Sequence, residues 1–77
     1  MTIDKALALT PGEPVIINYN NTNWFEKINV RGMVSHVDPT IHVNHHGKQY
    51  IWVTVEYRIS PRSTKTQRST FASHHIN

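Results

Sequence analysis

Seventy-seven residues suffice for one domain with a small core, and the absence of cysteine excludes disulfides and thiolate metal sites and fits a cytoplasmic setting. Eight Lys and Arg against five Asp and Glu leave a formal +3, to which six histidines add below about pH 6.5, so the balance favours anionic partners. No apolar run approaches the roughly 20 residues of a bilayer span, and Met1 to Lys5 lacks the basic-then-apolar order of a signal peptide, so no membrane partner is expected.

In chain order, Thr2 offers a helix cap, good helix formers follow, and Pro11-Gly12 stops them after one or two turns, with Ile3, Leu7 and Leu9 expected to plug one end of a core. The turn Thr10 to Pro14 delivers the chain into a strand in which Val15, Ile17 and Tyr19 share a face. Asn20 to Asn23 favours another turn, which leaves Trp24 and Phe25 on a loop as a lid or a contact surface. Val30 to Val37 alternates as a strand in which Gly32 marks a bend or a close backbone approach. Val34 and Val37 are three apart, so burying both requires a bulge near Ser35-His36.

Asp38-Pro39 is predicted to end that strand, because proline cannot donate to a central ladder. Ile41 and Val43 then face inward with His42 and Asn44 outward, and His45-His46-Gly47-Lys48 turns the next hairpin. In the run Tyr50 to Val55, Ile51, Val53 and Val55 point one way and Tyr50, Trp52 and Thr54 the other. Glu56-Tyr57 reads as a single helical turn before Arg58-Ile59-Ser60, and Pro61 closes the fold. The predicted core is Val15, Ile17, Val34, Ile41, Val43, Ile51 and Val53.

The succession L-x-P-G-E-x-V, R-G-x-V-x-x-V-D, I-x-V, H-G-K-Q-Y-I-W-V and Y-R-I-x-P, over roughly residues 9 to 61, resembles the small five-stranded barrels of the Src-homology-3-like (SH3-like) superfold, which Tudor, chromo-barrel and ribosomal KOW-type domains share. The resemblance implies an all-β, five-stranded barrel, which with the short N-terminal helical turn makes a domain over residues 1–61; the Ser, Thr, Lys and Arg content of residues 62–77 marks a basic polar tail, docked or flexible. The acidic loop and paired tryptophan of proline-rich-peptide binders are absent, since the loop here is Asn-rich and Trp52 stands singly in a strand. In the tail, Phe71 and Ile76 are the only large apolar residues, and one or both are expected to insert into a groove.

Function has to be read from the outward residues. Ser35, His36 and Asp38 look like a triad, but strand neighbours point to opposite faces, so no catalysis is expected. His42 shares its face with Asn44 and not with another histidine, so no metal site is expected either, and no cofactor. The outward face of the third and fourth strands brings His42 and Asn44 beside Tyr50 and Trp52, with Arg31 within reach, and this suits either a subunit interface or a base-stacking platform. The expected ligand set is Trp24, Arg31, His42, Lys48, Tyr50, Trp52, Arg58 and Arg62, the aromatics stacking and the cations taking phosphates. The expected function is a homo-oligomeric, non-enzymatic module for an anionic nucleotide-type ligand. In size and style the chain is similar to phage-encoded accessory proteins that sequester nucleotide immune signals for immune evasion in the host cytoplasm. The alternatives are a nucleic-acid-binding barrel and an interaction module that inhibits a host protein.

Overall fold

Period-two alternation and well-placed turns build a meander. The computed structural model describes residues 1–21, 26–58, 62 and 64–77. A short helix α1 (Ile3–Leu7) precedes strands β1 (Pro14–Asn21), β2 (Glu26–Val43), β3 (Gln49–Arg58) and β4 (Thr66–Ala72), and a 3-10 turn (Ser73–His75) follows. The strands form one antiparallel sheet in the order β1-β2-β3-β4, curled into a half-barrel. The loop aromatics Trp24 and Phe25 and the expected closure at Pro61 lie outside the described residues.

The predicted start holds. Thr2 caps α1, accepting the Lys5 N–H on its side chain at 3.4 Å. At the following turn Glu13 N–H donates to the Thr10 carbonyl at 3.1 Å, and Gly12 takes a φ of 90° that a side chain would resist. The plug differs in its members: Ala6 and Leu9 are buried and Ile3 packs beside them, whereas Leu7 is 40% exposed. A helix this short has room to bury only one narrow stripe.

β2 is where the pattern departs most from expectation. The bulge expected at Ser35-His36 is present, since Val34 pairs with Val55 and His36 with Thr54, one residue being looped out between them. Asp38-Pro39 does not end the strand. Asp38 pairs with Trp52 and His42 with Tyr50, so Pro39, Thr40 and Ile41 together oppose Ile51 in a second irregularity. Proline lacks an N–H and fits where the ladder is interrupted, and the Thr40 N–H is satisfied by Asp38 Oδ1 at 3.0 Å. This corrects two core residues: Ile41 is carried out in the irregularity and is 48% exposed, and Val43, paired with Gln49 at the hairpin end beyond the core, is 59% exposed. Glu56-Tyr57 is likewise strand and not helix, and Tyr57 is buried with its hydroxyl 3.2 Å from Ser69 Oγ.

The remaining expected core residues, Val15, Ile17, Val34, Ile51 and Val53, are buried, together with Val55 and Tyr57. The polar tail completes this core. Residues 66–72 pair with β3 in unbroken register, Phe71 enters opposite Val53, and Ile76 is fully buried. Asn77 exchanges two backbone bonds with Ile16, each 2.9 Å, which ties the C-terminal residues to β1. Between β4 and that tie the 3-10 turn is pinned by the buried Ser73, whose Oγ accepts the Ile51 N–H at 3.2 Å. Opposite the β2 irregularity and beyond the end of the β4 ladder, Ile51 needs that acceptor.

Gly32 permits the tight approach of β2 to β3. A Cβ there would lie 2.6 Å from Val55 Cγ1 and 2.8 Å from the Glu56 carbonyl oxygen, so Gly32→Ala should destabilise the fold by about 1–3 kcal/mol through overpacking, measured as a lower urea midpoint. An unchanged midpoint would mean that the strands do not approach this closely. Ile76→Ala should cost about 2–5 kcal/mol, whereas Ile41→Ala should stay within about 0.5 kcal/mol. Equal costs at the two positions would contradict the described burial.

Candidate functional site

The second β2 irregularity sets which side chains stand together. By pairing His42 with Tyr50 and Asp38 with Trp52, it gathers three rings on the outer face of the hairpin. His42 stacks on Tyr50 at 5.5 Å with planes 24° apart, and Trp52 stands edge-on to Tyr50 at 5.4 Å. Trp52 remains 37% exposed. An exposed, held indole is a ready surface for another flat ring.

The tail adds a second row of rings. His74 stands edge-on to Tyr50 at 5.9 Å, His75 lies 4.2 Å from His74, and Tyr19 meets His75 edge-on at 5.1 Å. Tyr19, Asn44, Tyr50, Trp52, His74 and His75 thereby line part of a groove of about 600 Å³ beside β4. Of the described residues lining it, none carries a permanent charge. Lys48 and the N-terminal ammonium lie close enough to act on its histidines. Lys48 is positioned by the hairpin, where Asn44 Oδ1 accepts the backbone N–H of both His46 and Lys48 at 2.9 Å and Gly47 takes a φ of 78°.

Electrostatics follow from burial. Desolvation holds the His74 imidazole below the ordinary histidine value of 6.5, and the nearby charges of His75, Lys48 and the N-terminus push the same way. His75 is lowered chiefly by burial, partly offset by its bond to the Asn18 backbone. Both rings are therefore neutral near pH 7. His74 Nδ1 is a buried atom with no hydrogen-bond partner among the described residues.

Of the expected ligand set, the structure brings together His42, Tyr50 and Trp52, with Lys48 on the hairpin close enough to act on His74 and His75. Arg31 is not with them. It pairs with Ile16 and lines a separate shallow groove with Pro14 and Asn77, because the β2 register sets it near the Tyr57 end of β3. Arg58 closes β3 at that same end, roughly 20 Å from Trp52 at about 3.3 Å per residue. Arg62 is exposed in the β3–β4 connection, and Trp24 lies outside the described residues. The expected ligand set left out Tyr19, His74 and His75. Their signal was the same one that marked Phe71 and Ile76: if those residues dock, the histidines between them dock too.

Among the described residues no group of three or more His, Cys, Asp or Glu is placed to hold a metal ion. Nor is any helix long and apolar enough to cross a membrane.

The histidine shifts carry a sign. A histidine whose folded value is lowered contributes stability that is present above the unfolded value of 6.5 and is lost as pH falls toward the folded one. The melting temperature should therefore hold above about pH 6.5 and decline below it. Replacing both His74 and His75 by Gln should flatten that decline. A wild-type profile that is flat or rises on acidification would contradict the neutral assignment. Comparison with protein-family models, with curated proteins and with solved structures finds no match.

Proposed function

We propose that this chain is an SH3-like barrel that holds a nucleotide-type anion without acting on it chemically. Support for the finer fold reading is the path after β4, where a 3-10 turn leads Ile76 and Asn77 back onto β1 as a vestigial fifth strand. Support for the function is one observation: an exposed Trp52, braced by Tyr50, stands on the rim of a groove that has Lys48 nearby and no permanent charge among the described residues lining it. A base stacks on the indole, and the phosphate lies toward Lys48, whose flexible stem and three donors suit it as a point-charge phosphate ligand. Discrete pockets and a formal +3 favour a small nucleotide over a nucleic-acid strand, which calls for a continuous basic track. Retention without turnover implies sequestration.

Self-association is the companion reading, favoured by the exposed apolar side chains Ile16 and Met33 on the outer face of β1 and β2, 42% and 54% accessible. Light scattering at micromolar concentration tests it, with a monomer counting against it.

Calorimetry against mono- and cyclic nucleotides and short oligonucleotides tests the main reading. A nucleotide should bind at a fixed stoichiometry per subunit with a shallow salt dependence. Trp52→Ala should cost about 1–3 kcal/mol with the salt slope kept. Lys48→Ala should weaken binding and flatten the slope. Silence across the panel would overturn the nucleotide reading in favour of a protein-binding module.

A further inference from the structure

Trp52 borders a second concavity, which His74 and His75 do not line. It measures about 470 Å³ and is bounded by His36, Asp38, Trp52, Thr54 and Thr70. Register explains the grouping: Asp38 is the cross-strand partner of Trp52, while Thr54 stands between His36 on β2 and Thr70 on β4. The two concavities share the indole but differ in charge. One has Lys48 close by, and the other contains a carboxylate.

That carboxylate is held ready to accept. The Thr40 N–H bonds Asp38 Oδ1 at 3.0 Å and, as the largest cause, keeps its carboxyl below the ordinary aspartate value, so it is ionised at neutral pH. The Thr40 side chain bonds the same carboxylate. A carboxylate has about four lone-pair sites, so two bonds from Thr40 leave acceptor capacity on a group that lines the concavity. On the other side, Thr54 Oγ1 and Thr70 Oγ1 lie 3.0 Å apart. A single hydrogen joins them, which leaves the second hydroxyl hydrogen free to donate.

Resting on the nucleotide reading above, we infer that the site selects guanine, with the base laid on Trp52, its adjacent N1–H and N2–H₂ donors forked onto the Asp38 carboxylate, and its phosphates directed toward Lys48. Of the common bases only guanine presents two neighbouring N–H donors to a two-oxygen acceptor. Adenine places a lone pair at N1 beside its single amino group, and that lone pair meets the carboxylate repulsively. The O6 acceptor of guanine is the group suited to the spare threonine hydrogen. Lys48 and Trp52 are about 13 Å apart along β3 and its hairpin, a span that the lysine stem and a diphosphate bridge between them.

The test is calorimetry of the full chain with GDP, IDP and ADP, for the wild type and for Asp38→Asn. GDP should bind about tenfold tighter than ADP, the low end for a bidentate contact because the site is open to water. IDP keeps N1–H and O6 but lacks the N2 amino group, so it should fall between the two on the unaltered protein. Asp38→Asn retains an oxygen for the Thr40 N–H, should melt with the wild type, and should bring the GDP-to-ADP ratio close to one. Equal binding of GDP and ADP by the wild type, or a preference that survives Asp38→Asn, overturns the guanine assignment and leaves the nucleotide reading standing. No heat with any of the three overturns the guanine assignment, and silence across the wider nucleotide panel as well overturns both.

Discussion

The docking of the last residues onto β1 is the contact on which the rest depends. Ile76 fills the core with no exposed surface, and the Ile16–Asn77 backbone pair fixes its approach. A four-stranded half-barrel leaves one side of its core open, and Ile76 bridges to Ile17 of β1 and joins the core there. The same docking brings the 3-10 turn across the end of β3, where Ser73 meets Ile51 and sets His74 against Tyr50. Core completion and groove construction are thus one event, and a loss of the C-terminal contact removes both.

The second constraint is the irregularity in β2. Three residues opposing Ile51 shift the outer-face register so that Asp38 and His42 flank the aromatic pair on β3. The irregularity expels Ile41 into solvent, which forgoes about 1–2 kcal/mol of possible burial. In return the hairpin carries rings and an ionised carboxylate on one surface. Local irregularity next to a binding surface is how sheets re-aim side chains.

Much of this was legible in the letters. Alternation identified Val15, Ile17, Ile51 and Val53, the Val34–Val37 spacing required the first bulge, and Gly32 marked the close approach. What misled was Pro39. Its missing N–H reads as a stop, yet an interrupted ladder also has no use for that N–H, and sequence alone does not separate the two. Ile41 and Val43 followed from that single misplacement. β4 was hidden for a different reason: an edge strand exposed on its outer face is written in Ser, Thr, Gln and Arg, and Phe71 was its one strong apolar mark. Arg31 was expected at the aromatics because charge and face were right, but position along the strand, which period-two reasoning does not fix between strands, puts it at the far end.

The central claim is that one face of the hairpin and the docked C-terminal residues make a single anion site. A nitrogen-15 NMR titration with GDP reads it residue by residue. The backbone amides of Lys48, Trp52, His74 and His75 should shift together along one binding curve, while those of Arg31 and Arg58 stay in place. Shifts centred on Arg31 and Ile16, or a His74 signal that does not move when Trp52 does, would contradict it.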